Sequence, residues 1–210
     1  GDQDALRLAG KMAKWLSQPK MWGVSTESSA IASAEKGHFA GHFHAHVASL
    51  RGILEYALVA NDISLKEFAK NGYEFARNYG IDLIGWFPEN CSTGQHCESC
   101  CIADMVGLAA KLSEAGIGDY WENVDRYTKN QLVEQQFISH DLLQTLAEHS
   151  GPSHADPPAS TSDRVIERNI GGFAGHGDVD KLPNSWIMHC CTGNATQALF
   201  YAWENIVKDN

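Results

Sequence analysis

Five of the six cysteines in this 210-residue chain fall in two tight groups, Cys97-Glu98-Ser99-Cys100-Cys101 and, some ninety residues later, Cys190-Cys191. Each group stands just before a stretch that reads as a helix. Soft thiolates gathered with a carboxylate suit a zinc ion. A helix start adds unpaired N–H groups and a positive dipole end, so thiols there ionise more readily and several thiolates around one metal are better tolerated. The two groups are therefore expected to meet at one metal. Adjacent cysteines are poor partners for disulfides, because neighbours rarely reach different partners without strain. Three arrangements of the sulfurs are open. A closed structural zinc site takes Cys97, Cys100, Cys190 and Cys191. A catalytic site swaps one thiolate for a carboxylate and keeps a reactive sulfur facing a cavity. A redox pair uses Cys97 and Cys100, although the βαβ setting of thioredoxin-type sites is missing here.

Other residues carry weaker signals. His42, His44 and His46 alternate ahead of an apolar helical pattern. Alternation suits an extended approach to a site, whereas a helix turns His42 and His46 the same way. The competing reading is a polar helix start with one histidine satisfied in the core. In Gly85-Trp86-Phe87-Pro88-Glu89-Asn90 an aromatic and an acid share a loop that leads into the first cysteine group. That combination suits a sugar site, the ring stacking on a sugar face and the acid giving a proton, but a loop glutamate is more commonly solvated surface. Gly171-Gly172-Phe173-Ala174-Gly175-His176-Gly177 has the composition of a phosphate loop without a preceding strand, a weak basis for nucleotide binding.

The elements that must position these groups read as helices. Ala5, Leu8, Met12, Trp15 and Leu16 recur at helical spacing, and Val47, Leu50, Ile53, Leu54 and Ala57 do so before a turn at Asn61-Asp62 and a return limb through Leu65, Phe68, Tyr73 and Phe75. A second hairpin is expected from about Cys100 to Glu114, turning at Gly116-Ile117-Gly118 and continuing through Tyr120, Val124, Tyr127 and Leu132 toward Glu148. A final helix is expected from roughly Asn194 to Val207. The expectation is one all-α domain over residues 1–210 with irregular stretches near 17–41, 80–97 and 151–189, the last rich in Pro and Gly and long enough to be functional.

Composition narrows the partners. With 43% hydrophobic and 20% charged residues the chain is globular, and its formal charge of -10 argues against nucleic acid or an anionic membrane, both of which demand a basic face. A neutral small ligand fits better. No apolar run approaches the roughly 18 residues of a membrane span, and Gly1 to Trp15 is charged and amphipathic, without signal-peptide architecture.

Glu98-x-Cys100 at one helix start, followed after a helix pair and a loop by Cys190-Cys191 at another, resembles the zinc motif of the β-L-arabinofuranosidase family, glycoside hydrolase family 127. His42 ahead of Arg51-Gly52-Ile53-Leu54-Glu55-Tyr56, the run from Tyr120 through Val124-Asp125-Arg126-Tyr127 to Asn130-Gln131-Leu132, and the step Cys190-Cys191-Thr192-Gly193-Asn194 are similar to segments of that family. The resemblance extends from about His38 onward, and the Glu-x-Cys and Cys-Cys pair is its specific part. It implies helical hairpins forming part of an (α/α)6 six-hairpin toroid, and a retaining hydrolase acting on a furanoside or related small carbohydrate. Zinc is then held by Glu98, Cys100, Cys190 and Cys191. Cys190 is the nucleophile, Glu89 the acid/base, and His42, His46, His176 and Trp86 contact the sugar. The chain departs from the family in having Thr192-Gly193 where the family has Pro-Pro, in a shorter spacing from Glu89 to Glu98, and in the extra Cys91, Cys97 and Cys101. It reads as six or seven helices where a full toroid uses about twelve, so the expectation is a fragment, a partial barrel completed by another copy through self-association, or a trimmed relative. The alternative is a zinc-stabilised helical domain that binds a carbohydrate or partner without turnover.

Overall fold

The structure, a computed structural model, describes residues 2–18, 39, 41–91, 93–149, 161–178 and 187–206. Most of the irregular stretch expected near 17–41, and residues 150–160 and 179–186 of the one near 151–189, including Pro152, Pro157, Pro158 and Pro183, lie outside the described residues.

The described chain is mostly helical. Its elements are α1 (Gln3–Leu16), α2 (Phe43–Ala60), α3 (Ile63–Ala76), β1 (Cys97–Glu98), α4 (Ser99–Glu114), α5 (Trp121–Tyr127), α6 (His140–His149), α7 (Val165–Asn169), β2 (His176–Gly177) and α8 (His189–Glu204). No helix among them is long and apolar enough to cross a membrane.

The first hairpin forms where its periodicity places it. Val47, Leu50, Ile53, Leu54 and Ala57 are all buried. Asn61 ends α2 in the left-handed conformation, φ 51°, returning its N–H to Ala57, and the Asp62 side chain caps α3 by accepting from the Leu65 N–H at 3.1 Å. In α4 every residue from Ser99 to Ala110 is buried, so this helix has no solvent face and forms the centre of the molecule. Small residues allow the crowding: a side chain at Gly107 would meet the Tyr201 ring at 3.3 Å and the Arg51 guanidinium at 3.2 Å.

Three helices around this centre run in one direction. Along α2 and α4, His44 pairs with Asp104 and Glu55 with Lys111; along α4 and α8, Cys100 meets Cys191 and Gly107 meets Tyr201. The N-terminal ends of α2, α4 and α8 therefore gather at one pole, while α3 and α5 return outside them.

The second hairpin and the final helix differ from expectation, and α7 lies inside the stretch near 151–189 expected to be irregular. The return limb of the second hairpin does not run on as one helix toward Glu148. After α5 it loosens into a π-helical turn, Thr128–Leu132, and then opens, because Gln135 and Phe137 bond to the glycine-rich segment: Ala174 N–H to the Gln135 carbonyl (2.9 Å), Phe137 N–H to Gly172 (2.8 Å) and Gly171 N–H to Phe137 (2.7 Å). Helix resumes only at His140. The final helix begins at His189, earlier than Asn194, and so takes Cys190 and Cys191 into its first turn.

The segment between α3 and β1 is held by a polar strut and close packing. At Gly80 a Cβ would strike the Trp86 carbonyl, and Gly85, at φ 75°, lies against Tyr127. Asp82 takes a two-pronged bond from Arg77 (3.0 and 2.8 Å) and a short one from the Tyr127 hydroxyl. Beyond it Phe87 stacks on Phe43 with centroids 5.6 Å apart, and the Glu89 carbonyl accepts the first N–H of α2 from Phe43 at 2.8 Å.

Burial alone would raise the Asp82 carboxyl, but the bonds from Arg77 and Tyr127 outweigh it and hold the group below its ordinary value of 3.8. A depressed folded-state value contributes stability above the unfolded value and loses it as pH falls through the folded one. Asp82→Asn should therefore lower stability by about 2 kcal/mol at neutral pH, and the difference from wild type in urea midpoints should shrink progressively below about pH 4.

Candidate metal centre

The first cysteine group is sorted by the alternation of a strand. Successive side chains of β1 point to opposite faces. Cys97 turns inward, fully buried, with the Phe87 backbone and the Gln135 side chain as partners, and burial pushes its thiol up to about 12. Glu98 turns the other way, and α4 begins immediately after it, which brings Cys100 and Cys101 into the first turn. From the parallel neighbour α8 come Cys190 and Cys191.

Glu98, Cys100, Cys190 and Cys191 converge with their ligand atoms all within 4.8 Å of one another. Cys100 Sγ lies 3.5 Å from Cys191 Sγ, Cys190 Sγ lies 3.8 Å from Cys191 Sγ, and Cys191 Sγ lies 3.5 Å from Glu98 Oε1. Zinc–sulfur bonds of about 2.3 Å and zinc–oxygen bonds of about 2.0–2.2 Å, arranged tetrahedrally, require edges of about 3.8 Å between sulfurs and about 3.5 Å from sulfur to oxygen. The donor set and its spacing thus fit a four-coordinate thiophilic dication. Cys97 belongs to neither candidate ligand group among the described residues, so Glu98 and not Cys97 completes the set.

The surroundings orient the ligands. His42, the residue capping α2, hydrogen-bonds Glu98 Oε2 at 2.6 Å, and Asn194 Nδ2 donates to Cys100 Sγ at 3.2 Å. Ser99 Oγ donates to the Ala174 carbonyl (2.6 Å) and lies within hydrogen-bond reach of the Gln135 side-chain amide, and its N–H reaches the Gly175 carbonyl at 3.3 Å. The glycine-rich stretch that resembled a phosphate loop is therefore an extended strap, tying the starts of α4 and α8 to the opened segment after α5; Thr192 Oγ1 closes it onto the Phe173 backbone.

Electrostatically the site resists ionisation of its thiols. The bond to Cys191, burial and the repulsion of neighbouring acids push the Cys100 thiol far up, and burial followed by the charge of Cys100 raises Cys190. Burial opposes the Glu98 carboxylate, but the bond and charge of His42 and the thiol donors outweigh it and hold Glu98 below its usual range. Several ionised sulfurs coexist here only around a positive ion.

The remaining candidates lie at different depths. β1 and β2 pair antiparallel with Glu98 opposite His176, so these side chains share a face. His176 Nε2 in turn lies 3.1 Å from Glu89 Oε2. Glu89 is thus joined to the metal-binding face through one histidine. Trp86 is half-buried and packed against the main core. His46 is buried one helical turn along from His42, with its ring stacked on Phe39 at 4.6 Å and 6°. His42 sits outside the helix with extended backbone, φ -74° and ψ 112°, so the two rings do not share a helical face. Sequence reasoning gave no role to three groups now seen here. His44 is bonded to buried Asp104 on α4, His96 sits 3.3 Å from Asp178, and Asn194 holds Cys100. Asn194 stands three residues after Cys191, so only the true start of α8 would have revealed it on the ligand face.

Removing the Asn194 bond leaves a ligand sulfur less well oriented. Asn194→Ala should weaken zinc affinity about ten- to hundredfold without loss of helix, measured by competition with a chromophoric chelator alongside circular dichroism.

Compared with protein-family models, curated proteins and solved structures, the chain has no significant match, so its reading rests on the residues and geometry above.

Proposed function

We propose that this chain is a retaining glycoside hydrolase acting on a furanoside or related small carbohydrate, with Cys190 as nucleophile and Glu89 as acid/base. The observation that carries the reading is unequal burial within the ligand set: Glu98, Cys100 and Cys191 are buried, whereas Cys190 is exposed. A purely structural zinc site closes over all four ligands, and a catalytic one keeps an open side. The course of the helices supports the same reading. Parallel α2, α4 and α8 with outer return limbs are what hairpins contributing part of an (α/α)6 toroid require, the rest supplied by further chain or by a second copy.

Zinc, when bound by Glu98, Cys100, Cys190 and Cys191, would keep the sulfurs deprotonated near neutral pH. Cys190 Sγ attacks the anomeric carbon, forming a carbon–sulfur bond as the bond to the leaving oxygen breaks, and Glu89 gives that oxygen its proton. A water then attacks the same carbon, Glu89 takes back a proton, and the sulfur leaves as a thiolate, so the configuration is retained. His176 fixes the Glu89 carboxyl and, with His42, offers ring nitrogens to sugar hydroxyls at the open side.

Nitrophenyl furanosides of several sugars provide the test, with the anomer of the first-formed product read by proton NMR. Wild-type protein loaded with zinc should turn over at least one of them with retention. Cys190→Ala should abolish turnover, and Glu89→Gln should slow it a hundredfold or more, with less loss for substrates whose leaving group needs no proton. Tight zinc with no turnover of any furanoside would move the reading to a zinc-stabilised binding domain.

A further inference from the structure

The carboxylate of Glu98 faces two ways. Its Oε1 belongs to the group formed with Cys100, Cys190 and Cys191, lying 3.5 Å from Cys191. Its Oε2 faces a different pair: His42 Nε2 at 2.6 Å and Cys101 Sγ at 3.6 Å. His42, Glu98 and Cys101 form a second group with every ligand atom within 4.8 Å of the others. The four-ligand proposal leaves Cys101 unused, although it is fully buried beside a carboxylate oxygen.

We propose that the centre binds two thiophilic divalent cations, Glu98 bridging them, with the second held by His42 Nε2, Glu98 Oε2 and Cys101 Sγ. One nitrogen, one oxygen and one sulfur match the ligand preferences of zinc, and three protein ligands leave a position for water. The opening lies on the side of His42, whose side chain is 46% exposed while that of Glu98 is 2% exposed. Charge favours the second ion. Three thiolates and a carboxylate around one dication leave two negative charges in excess, in a place where unpaired charge is costly. A second dication, even with Cys101 ionised, reduces that excess to one. The two sites are unequal by construction, the first with four ligands and the second with three and an entry from solvent. The first ion should therefore bind more tightly. A carboxylate bridging two ions is also the arrangement of two-metal hydrolytic centres, in which one ion supplies an activated water.

The inference rests on the reading of Glu98, Cys100, Cys190 and Cys191 as a cation site, and stoichiometry separates the two ideas. Metal-free protein is titrated with Co2+ under reducing conditions, following sulfur-to-cobalt charge transfer and d–d bands, and bound Zn2+ is counted independently after gel filtration. Two equivalents are expected for the wild type. Cys101→Ser and, separately, His42→Gln should each bind one, with the first equivalent's spectrum preserved; glutamine retains a donor for Glu98 while removing the ring nitrogen. One equivalent in the wild type, unchanged in Cys101→Ser, would overturn the second site and leave the first standing. Two equivalents persisting in both variants would also overturn it, placing the second ion elsewhere. No bound metal in the wild type would remove both readings together.

Discussion

Acids brought within a few ångströms of one another repel when they ionise, and most of the local architecture answers that repulsion. Four such groups lie within 4.8 Å, three of them buried. The fold brings the N-terminal ends of α2, α4 and α8 to the same place, so that positively polarised backbone surrounds the sulfurs. It adds a hydrogen bond from Asn194 to Cys100 and one from His42 to Glu98. None of these matches a dication in strength. Together they lower the cost of holding these groups in one place, the preorganisation that a candidate metal site requires.

Rigidity is supplied from two directions. Below, α4 is packed on all sides, so its first turn cannot tilt without disturbing the core. Above, the strap at 171–177 and the segment at 80–98 clamp the same turn through Ser99, the β1–β2 ladder and the bridge between Pro88 and Cys97. The Arg77–Asp82–Tyr127 strut anchors the second clamp far from the sulfurs. The position of Glu89 thus depends on a chain of contacts that ends at α3 and α5, and not on its own loop alone.

Much of this was legible in the residues and some was not, for identifiable reasons. The first hairpin could be read to its caps, because Asn61 and Asp62 are local devices that act without help from distant chain. The meeting of Glu98 with Cys100, Cys190 and Cys191 was legible because sulfur and carboxylate are scarce and chemically distinctive, whereas the inward turn of Cys97 away from them depends on the two-residue strand that precedes α4. The start of α8 was hidden because Thr192 and Gly193 are weak helix formers; packing against α4 carries the helix through them. The break after α5 was hidden because Leu132 and Phe137 extend an apolar pattern, while the bonds that open the chain come from residues 171–174. His46 was misaligned with His42 by a single residue of non-helical backbone. In each case a contact remote in sequence overrode a local preference.

The shared direction of the three inner helices also settles the far end of the molecule. Their carboxyl ends gather opposite the candidate metal centre, where Glu55, Glu114 and Glu204 border the same small cavity as Arg51 and Lys111. Aligned peptide dipoles turn their negative ends to that pole, beside three acids and two cations, and their positive ends to the sulfur pole, beside Glu98 and the thiols. Backbone polarisation therefore eases the gathering of thiols and a carboxylate at one end, and at the other it is offset by Arg51 and Lys111.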